Sequence, residues 1–230
     1  ELMTAVQTEL DRLMTDEETR VVVLAGAGSA FCAGHDLTEM RADPGPESME
    51  VLFTQCSRMM TTLTKIPQAV IAKVHGVAAA AGCQLVAQSD LAICVEKAKF
   101  GTSGVNLGLF CSTPMVAVTR NMPRKQAMEM LMTGDLIDAD TAERWGLVNR
   151  VVPTNQLDTA VDDLAGKIAS KSRAAVGRGK KLFYTQIEEG LEAAYAKATQ
   201  AITSNMQDYD ARAGIDAFID KQPMPTWKGK

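Results

Sequence analysis

The segment from Val70 to Leu91, VIAKVHGVAAAAGCQLVAQSDL, constrains the fold of this chain more than any other stretch. It opens with an apolar run rich in β-branched residues, which predicts a strand over Val70–Val74. His75-Gly76 end that run, a stretch of alanines closed by Gly82 follows, and Cys83–Gln88 suits a helix. A strand, a bend built from the smallest side chains and a helix N-terminus together let backbone N–H groups face an anionic ligand.

A second segment, Val21–Leu37, has the same form: an apolar strand, a bend of small residues and a helix. If both strands lie parallel in one sheet, both bends lie at its carboxyl end, where α/β proteins bind ligands. One backbone N–H from each bend can then converge on one oxygen and form an oxyanion hole. The other interpretation is that these small residues only allow helices to pack closely on the sheet. A dinucleotide-binding fingerprint fails here, because its third glycine would have to stand at Phe31.

The order of the segments predicts an α/β fold. Strands alternate with helices to about residue 153, and the pattern from Gln156 onward is almost entirely helical. The polar, proline-containing stretch Arg41–Ser48 is predicted to be a mobile surface loop. We therefore expect an α/β core followed by a helical C-terminal segment.

The composition narrows the classes of function. The formal net charge of −4 argues against a dedicated nucleic-acid binder, which usually carries a basic face. No apolar run reaches the roughly 18 residues that a membrane span needs. The five cysteines form no CxxC pair, which predicts reduced thiols, and the presence of only two histidines argues against a zinc site.

Five stretches, in this order, resemble the crotonase, or enoyl-CoA hydratase/isomerase, superfamily and cover nearly the whole chain. They are RVVVLAGAGSAFCAGHDL (Arg20–Leu37), PQAVIAKVHGVAAAAGCQLVAQSDLAI (Pro67–Ile93), FGTSGVNLGLF (Phe100–Phe110), AMEMLMTGDLIDADTAERWGLVNRVVP (Ala127–Pro153) and GIDAFIDKQPMPTW (Gly214–Trp227). The resemblance implies a ClpP/crotonase-like spiral of β-β-α units over residues 1–155, without the usual N-terminal strands. It implies a helical trimerisation segment over residues 156–230.

The resemblance also implies a ligand and a site. The ligand is an acyl-CoA thioester, whose carbonyl lies in an oxyanion hole made by the backbone N–H groups of His35 and Ala81. That hole stabilises an enolate-like oxygen, and no cofactor or metal is expected besides the coenzyme A of the substrate. The substrate- and CoA-binding positions fall on Ala33, His35, Asp36, Leu37, Ala79, Ala80, Ala81, Ser103 and Leu107. Asp36 and Asp90 match positions that are usually acidic, and we expect both to be structural.

The chain departs from the family pattern at the two glutamates that activate water and protonate the substrate in a typical hydratase. These positions fall on Gln84 and Gly104. Glutamine can hydrogen-bond a water but cannot take its proton at neutral pH, and glycine offers only its backbone. In this the chain most resembles the enoyl-CoA hydratase domain-containing subgroup, which also carries these replacements.

Other residues are candidates to replace the missing glutamates. His35 titrates near neutrality and lies at the hole, although its side chain can instead turn outward or into the CoA loop. Glu39, one turn later, is a second candidate base. Cys111 can line the acyl pocket, but no base is visibly paired with it to make it a nucleophile. Lysines that can meet the CoA phosphates, or simply form a solvated face, are Lys180, Lys181, Lys228 and Lys230.

Three functions follow. The first is an enzyme of the enoyl-CoA hydratase/isomerase type with an atypical acid/base set, and the second is a weak or inactive acyl-CoA-binding protein. The third, a ClpP-like serine protease, lacks a serine in a matching context, Ser89 and Ser103 being the nearest. The family implies a homotrimer or a dimer of trimers without nucleic-acid or membrane partners. The expected compartment is the cytoplasm, or the mitochondrial matrix if a targeting segment precedes Glu1.

Overall fold

The computed structural model describes residues 1–230 as eleven α-helices and seven β-strands. The helices are α1 (Leu2–Leu13), α2 (Leu37–Ala42), α3 (Pro46–Lys65), α4 (Ala81–Gln88), α5 (Ser112–Asn121), α6 (Arg124–Thr133), α7 (Ala139–Arg144), α8 (Leu157–Ala169), α9 (Arg173–Gln186), α10 (Leu191–Asn205) and α11 (Tyr209–Ile219). The strands are β1 (Val21–Ala25), β2 (Ala69–Val74), β3 (Val77–Ala79), β4 (Leu91–Val95), β5 (Lys99–Gly101), β6 (Ile137–Asp138) and β7 (Arg150–Val152). Short 3₁₀ turns cover Ser103–Leu107 and Thr154–Gln156.

The strands form two sheets. One is four-stranded and wholly parallel in the order β1-β2-β4-β7, and the other has the order β3-β5-β6, with β3 and β5 parallel and β6 antiparallel. From β2 to β5 consecutive strands alternate between the sheets: β2 and β3 are followed by α4, and β4 and β5 are followed by α5. This arrangement confirms the predicted α/β spiral of β-β-α units.

The central strand β2 is almost completely buried, as its continuous apolar run predicts for an inner strand of a parallel sheet. It lies between β1 and β4, and its side chains enter the main hydrophobic core that α4, α5 and α8 cover. A smaller apolar cluster lies between α1 and α3 and includes Leu10, Leu13, Met59 and Leu63. The bend after β2 therefore follows a strand that is buried in the core.

The predicted strand and helix around this bend are confirmed, but the bend itself is shorter than predicted. Val77–Ala79 form β3, which pairs in parallel with Lys99–Gly101, and α4 begins at Ala81 instead of Cys83. Ala80 alone remains between the strand and the helix. The sequence prediction missed β3 because a three-residue strand depends on pairing with a distant segment and has no periodicity of its own.

The loop predicted over Arg41–Ser48 is shorter than expected, because only residues 43–45 lie outside the flanking helices. The side chain of Asp36 accepts hydrogen bonds from the N–H groups of Thr38 and Glu39 and so caps α2, which runs into the predicted loop. Helix α3 starts at Pro46, because proline suits the first position of a helix, where its missing N–H has no partner to lose. The same capping bonds confirm that Asp36 has a structural role.

The C-terminal helices differ in how closely they pack on the core. Leu157 and Val161 of α8 are buried in the main core, whereas α10 packs mainly against α9. Leu191, Tyr195 and Phe218 are exposed on the later helices. The division into residues 1–155 and 156–230 stays a prediction. No helix combines the length and the apolar character that crossing a membrane requires.

Candidate functional site

The two bends that the sequence singles out lie side by side. Strands β1 and β2 are parallel, so both bends emerge at the same edge of the sheet. The backbones beyond them are joined by hydrogen bonds, in which Phe31 N–H donates to Val77 O (2.9 Å) and Ala79 N–H donates to Cys32 O (2.9 Å). The predicted parallel arrangement is confirmed, and the two segments form one backbone layer.

Two glycines make this close approach possible. A Cβ atom at Gly82 would lie 2.0 Å from the carbonyl oxygen of Cys32, so no larger residue fits there without moving the backbone. A Cβ atom at Gly34, whose φ is +103°, would lie 3.0 Å from Ala80 Cβ and 3.5 Å from Ala81 N. The small residues therefore do serve close packing, and that packing brings the segment of His35 next to the start of α4.

Backbone N–H groups are left unpaired at this contact. Ala81 is the first residue of α4, and the N–H of a first helical residue has no partner within the helix. The N–H of His35 has no acceptor in the protein. Both donors required by the predicted hole are thus available on adjoining segments, at the positively polarised end of a helix.

Ala80, directly before one of these donors, has a strained backbone. Its φ of +50° and ψ of −117° lie in a region that suits glycine and costs another residue roughly 1–3 kcal/mol. Its N–H donates to Gly101 O (2.9 Å) and its carbonyl accepts from Gln84 N–H (3.0 Å). These two bonds hold the strained conformation that aims the first turn of α4.

The side chain of His35 is not turned outward. Its ring packs edge-to-face on Phe53 of α3, with 5.5 Å between ring centroids, and its Nε2 atom is buried without a hydrogen-bond partner. Burial lowers the pKa of His35 from its ordinary value, so the imidazole is neutral near pH 7. A neutral imidazole with a free ring nitrogen can accept a proton.

Gln84 occupies a different environment from His35. Its side chain is buried, at 4% exposure, and its Oε1 atom lies 4.0 Å from the buried thiol of Cys56. It lines a cavity of about 540 Å³ between α3, α4, α5 and the end of α9. His35 instead lines a second cavity of about 530 Å³, together with Asp36, which caps α2, and Glu39 of α2. The acid/base candidates His35 and Glu39 therefore line one cavity, and Gln84 lines the other.

The space beside Gly104 is occupied by the side chain of another residue. The thiol of Cys111 accepts a hydrogen bond from the N–H of Gly104 at 3.3 Å. A Cβ atom at Gly104 would lie 2.8 Å from that sulfur and 2.8 Å from Leu109 O. The sulfur thus takes the space into which a side chain at position 104 would project. Asn106 ties the same loop to Gly134 O (3.2 Å).

The remaining predicted binding residues surround these segments. Ala79 is the last residue of β3, and Ser103 and Leu107 bound the 3₁₀ turn after β5, with Leu107 exposed. Ala33 and Leu37 are exposed on either side of His35 and Asp36. These residues follow or flank the strand ends, so they lie around the same edge of the two sheets. That they contact a ligand stays a prediction.

A buried polar cluster that the sequence analysis missed lies behind the site. Asp90 accepts hydrogen bonds from Val70 N–H, from Tyr184 Oη and from Lys180 Nζ, each at 2.7 Å. Lys180 also donates to Leu63 O and Gln68 O, both at 2.8 Å. Burial and the neighbouring carboxylate raise the pKa of Tyr184.

This cluster corrects one prediction and confirms another. The side chain of Lys180 is only 7% exposed, so it belongs neither to a phosphate site nor to a solvated face. The structural role expected for Asp90 is confirmed by its three donors. The available signal was the spacing of Lys180 and Tyr184, four residues apart on one face of α9.

Comparison with known proteins gives consistent matches. All of the chain, residues 1–230, matches the family model described as enoyl-CoA hydratase/isomerase. The Rattus norvegicus protein named enoyl-CoA hydratase domain-containing protein 3, mitochondrial, is 42% identical over 226 residues, which are 98% of this chain and 75% of that protein. The crystal structure of a Mycobacterium smegmatis enoyl-CoA hydratase is 50% identical, with a TM-score of 0.96, over 97% of this chain and 87% of that one. The crystal structure of human enoyl-CoA hydratase domain-containing protein 3 is 40% identical, with a TM-score of 0.91, over 97% and 89% of the two chains.

Proposed function

Because this chain belongs to the enoyl-CoA hydratase/isomerase family, we propose that it acts on an acyl-CoA thioester whose enolate it stabilises in a backbone oxyanion hole. The donors are the N–H groups of His35 and Ala81. The observation that carries the proposal is the contact between their two segments, where each N–H lacks a protein acceptor. Charge that develops on the thioester oxygen would be stabilised there by donors that need no reorganisation.

The acid/base set is the atypical part of the proposal. Gln84 and Gly104 stand where a typical hydratase carries glutamates, and neither can transfer a proton. His35 is the proposed proton acceptor, because its imidazole is neutral and Nε2 has no partner. Glu39 lines the same cavity as His35 and is the second candidate.

The acyl-CoA thioester is proposed to bind across the same edge of the sheets. The contributing residues are Ala33, His35, Asp36, Leu37, Ala79, Ala80, Ala81, Ser103 and Leu107. Coenzyme A enters as part of the substrate, and the proposal needs no other cofactor and no metal. Lys180 is left out because its ammonium group is fully used by Asp90 and two carbonyls.

A second candidate function is an acyl-CoA-binding protein with weak or no catalysis. It is favoured by one specific observation, the thiol of Cys111 in the space that a side chain at position 104 would need. In this case the oxyanion hole holds a thioester without converting it.

Hydration of crotonyl-CoA, followed as loss of absorbance of the conjugated thioester, tests the first proposal. Replacing Ala81 by proline removes the N–H, but proline restricts the residue before it. The change is therefore made together with Ala80→Gly, and the single variant Ala80→Gly serves as the matched control, because glycine tolerates the φ of position 80. We expect the double variant to lose roughly 10²–10³ in rate relative to the control.

Three other results would contradict parts of this proposal. Equal rates in the double variant and its control would remove Ala81 from the oxyanion hole. Saturable thioester binding without turnover of enoyl, dienoyl or malonyl thioesters would favour the binding protein. If neither CoA nor its thioesters bind, the assignment of the site is wrong.

Assembly and compartment are also proposed. A homotrimer or a dimer of trimers would cover the apolar side chains exposed on the C-terminal helices, among them Leu191, Tyr195 and Phe218. Light scattering measures that mass directly. The cytoplasm is the compartment proposed from the sequence, and the mitochondrial matrix is the alternative that the names of the vertebrate relatives support.

A further inference from the structure

A buried glutamine directly before β2 has an oxygen that no protein group satisfies. Gln68 is only 3% exposed, and its Nε2 atom donates to Leu13 O (2.9 Å) and to Asp16 O (3.1 Å). These two carbonyls fix the orientation of the amide, because the reversed amide would place its oxygen against both of them. Oε1 is therefore at the other end of the amide, where it is buried without a hydrogen-bond partner. A buried acceptor in this state loses its hydration without compensation.

Gln68 lines a small cavity at the edge of the sheet opposite the two bends. Residues directly before the parallel strands β1 and β2 meet there, together with the end of α8 and the first turn of α9. The polar side chains that share the cavity with Gln68 are those of Thr19, Arg20 and Arg173. The cavity measures about 10 Å³, and roughly 10–15 Å³ of space open to the centre of a water molecule is enough to hold one.

The groups around this cavity select the chemistry of its occupant. Oε1 of Gln68 requires a donor, and the hydroxyl of Thr19 already donates to Asp16 Oδ2 at 2.8 Å, so its oxygen is left to accept. The guanidinium groups of Arg20 and Arg173 can only donate. An anion would meet two acceptor oxygens, and a cation would meet two guanidinium groups. The occupant that fits is a neutral molecule that both donates and accepts hydrogen bonds.

We propose that one water molecule binds in this cavity, donates to Gln68 Oε1 and to Thr19 Oγ1, and accepts from one of the two guanidinium groups. About three hydrogen bonds are typical of a buried water. The water extends a set of contacts centred on Gln68, whose carbonyl oxygen also accepts from Lys180 of α9 at 2.8 Å. It thereby helps to fasten the junction of α8 and α9 to the sheet, and this role is independent of the proposed thioester site.

A high-resolution crystal structure of the unmodified protein tests this inference directly. We expect an electron-density peak about 2.5–3.0 Å from Gln68 Oε1, the distance of an O–H···O hydrogen bond. A map without a peak within hydrogen-bond reach of Oε1 would overturn the inference. Anomalous scattering that identifies the peak as chloride would overturn it as well, because the occupant would then be an anion.

Val176→Leu tests the role of the water, because Val176 lines the cavity from α9 and the added methylene takes the space of the water. The variant structure should lack the peak, and denaturation should show an unfolding constant raised roughly fivefold to a hundredfold, since Oε1 of Gln68 is then left unpaired. Val51→Leu, the same substitution at an exposed position of α3, is the matched control and should change that constant by less than about twofold. A Val176→Leu variant that loses the peak but keeps or gains stability would overturn the inference, because an added methylene that fills a dry cavity is not destabilising.

Discussion

The buried cluster around Asp90 joins helix α9 to the sheet, and replacing Lys180 by methionine is expected to destabilise the whole molecule. In the native protein the Lys180 ammonium donates to Asp90 at 2.7 Å and to two backbone carbonyls at 2.8 Å. Methionine retains most of the side-chain volume but none of these donors. The Asp90 carboxylate would remain buried with only Val70 N–H and Tyr184 Oη as partners.

The expected magnitude follows from the exposure of the two charges. The side chains of Lys180 and Asp90 are 7% and 15% exposed, so the pair is a buried one. Removing one partner of a buried pair costs about 3–5 kcal/mol, mainly because the other charge is left uncompensated. Two neutral donors remain on the carboxylate, which puts the expected loss at about 3 kcal/mol, the low end of that range. Adding Asp90→Asn to Lys180→Met removes the stranded charge and should recover about 1–2 kcal/mol.

Denaturation by guanidinium chloride, followed by circular dichroism at a fixed protein concentration, measures this loss as a shift of the midpoint. Lys181→Met is the matched control, because Lys181 is adjacent in sequence but exposed, and its replacement should change stability by less than about 0.5 kcal/mol. The argument for a structural ion pair would be refuted if Lys180→Met were no more destabilising than this control.

Two further predictions concern the site. Burial lowers the pKa of His35, so its neutral ring contributes stability above the unfolded pKa of about 6.5, and this contribution is lost as pH falls toward the folded pKa. Denaturation midpoints measured from pH 7.5 down to pH 5 should therefore fall less steeply in His35→Asn than in the unmodified protein. Parallel pH dependences of the two proteins would contradict a lowered pKa of His35. Gly104→Glu should lower the free energy of unfolding by about 1–3 kcal/mol, because the new side chain is overpacked against Cys111 and Leu109. Adding Cys111→Ala should restore part of that stability. Gly166→Glu should not destabilise the protein in the same denaturation assay, because a Cβ atom there meets nothing within 4 Å. An equal loss of stability at both glycines would argue against the clash at position 104.

Sequence patterns predicted the regular elements well where those elements have a local cause. The buried run of β2 and the Asp138 cap of α7 could be inferred from neighbouring residues alone. The pair of bends at one sheet edge was also predictable, because parallel strands place their carboxyl ends together. The misplaced loop before α3 came from interpreting Pro46 as a breaker when it occupies the first helical position.

Contacts between distant segments account for what sequence reasoning missed. The thiol of Cys56 contacts Gln84, 28 residues later in the chain, and Lys180 of α9 contacts Asp90 directly before β4. A lysine or a cysteine taken alone carries no sequence mark of a buried partner, and the spacing of Lys180 and Tyr184 shows only that they share a face of α9. Their roles depend on which helix packs on which.

The sequence by itself determined the family, the alternation of strands and helices, and the absence of an acid at Gln84 and Gly104. Only the tertiary structure decided that the segments of His35 and Ala81 adjoin, and that Gln84 and His35 line separate cavities. The physical reason is that residue type and periodicity act over a few neighbours, whereas a site is made by close packing between segments far apart in the chain. The bend after β2, which from sequence alone could bind any anion, is in three dimensions one strained residue, Ala80, between a strand and a helix.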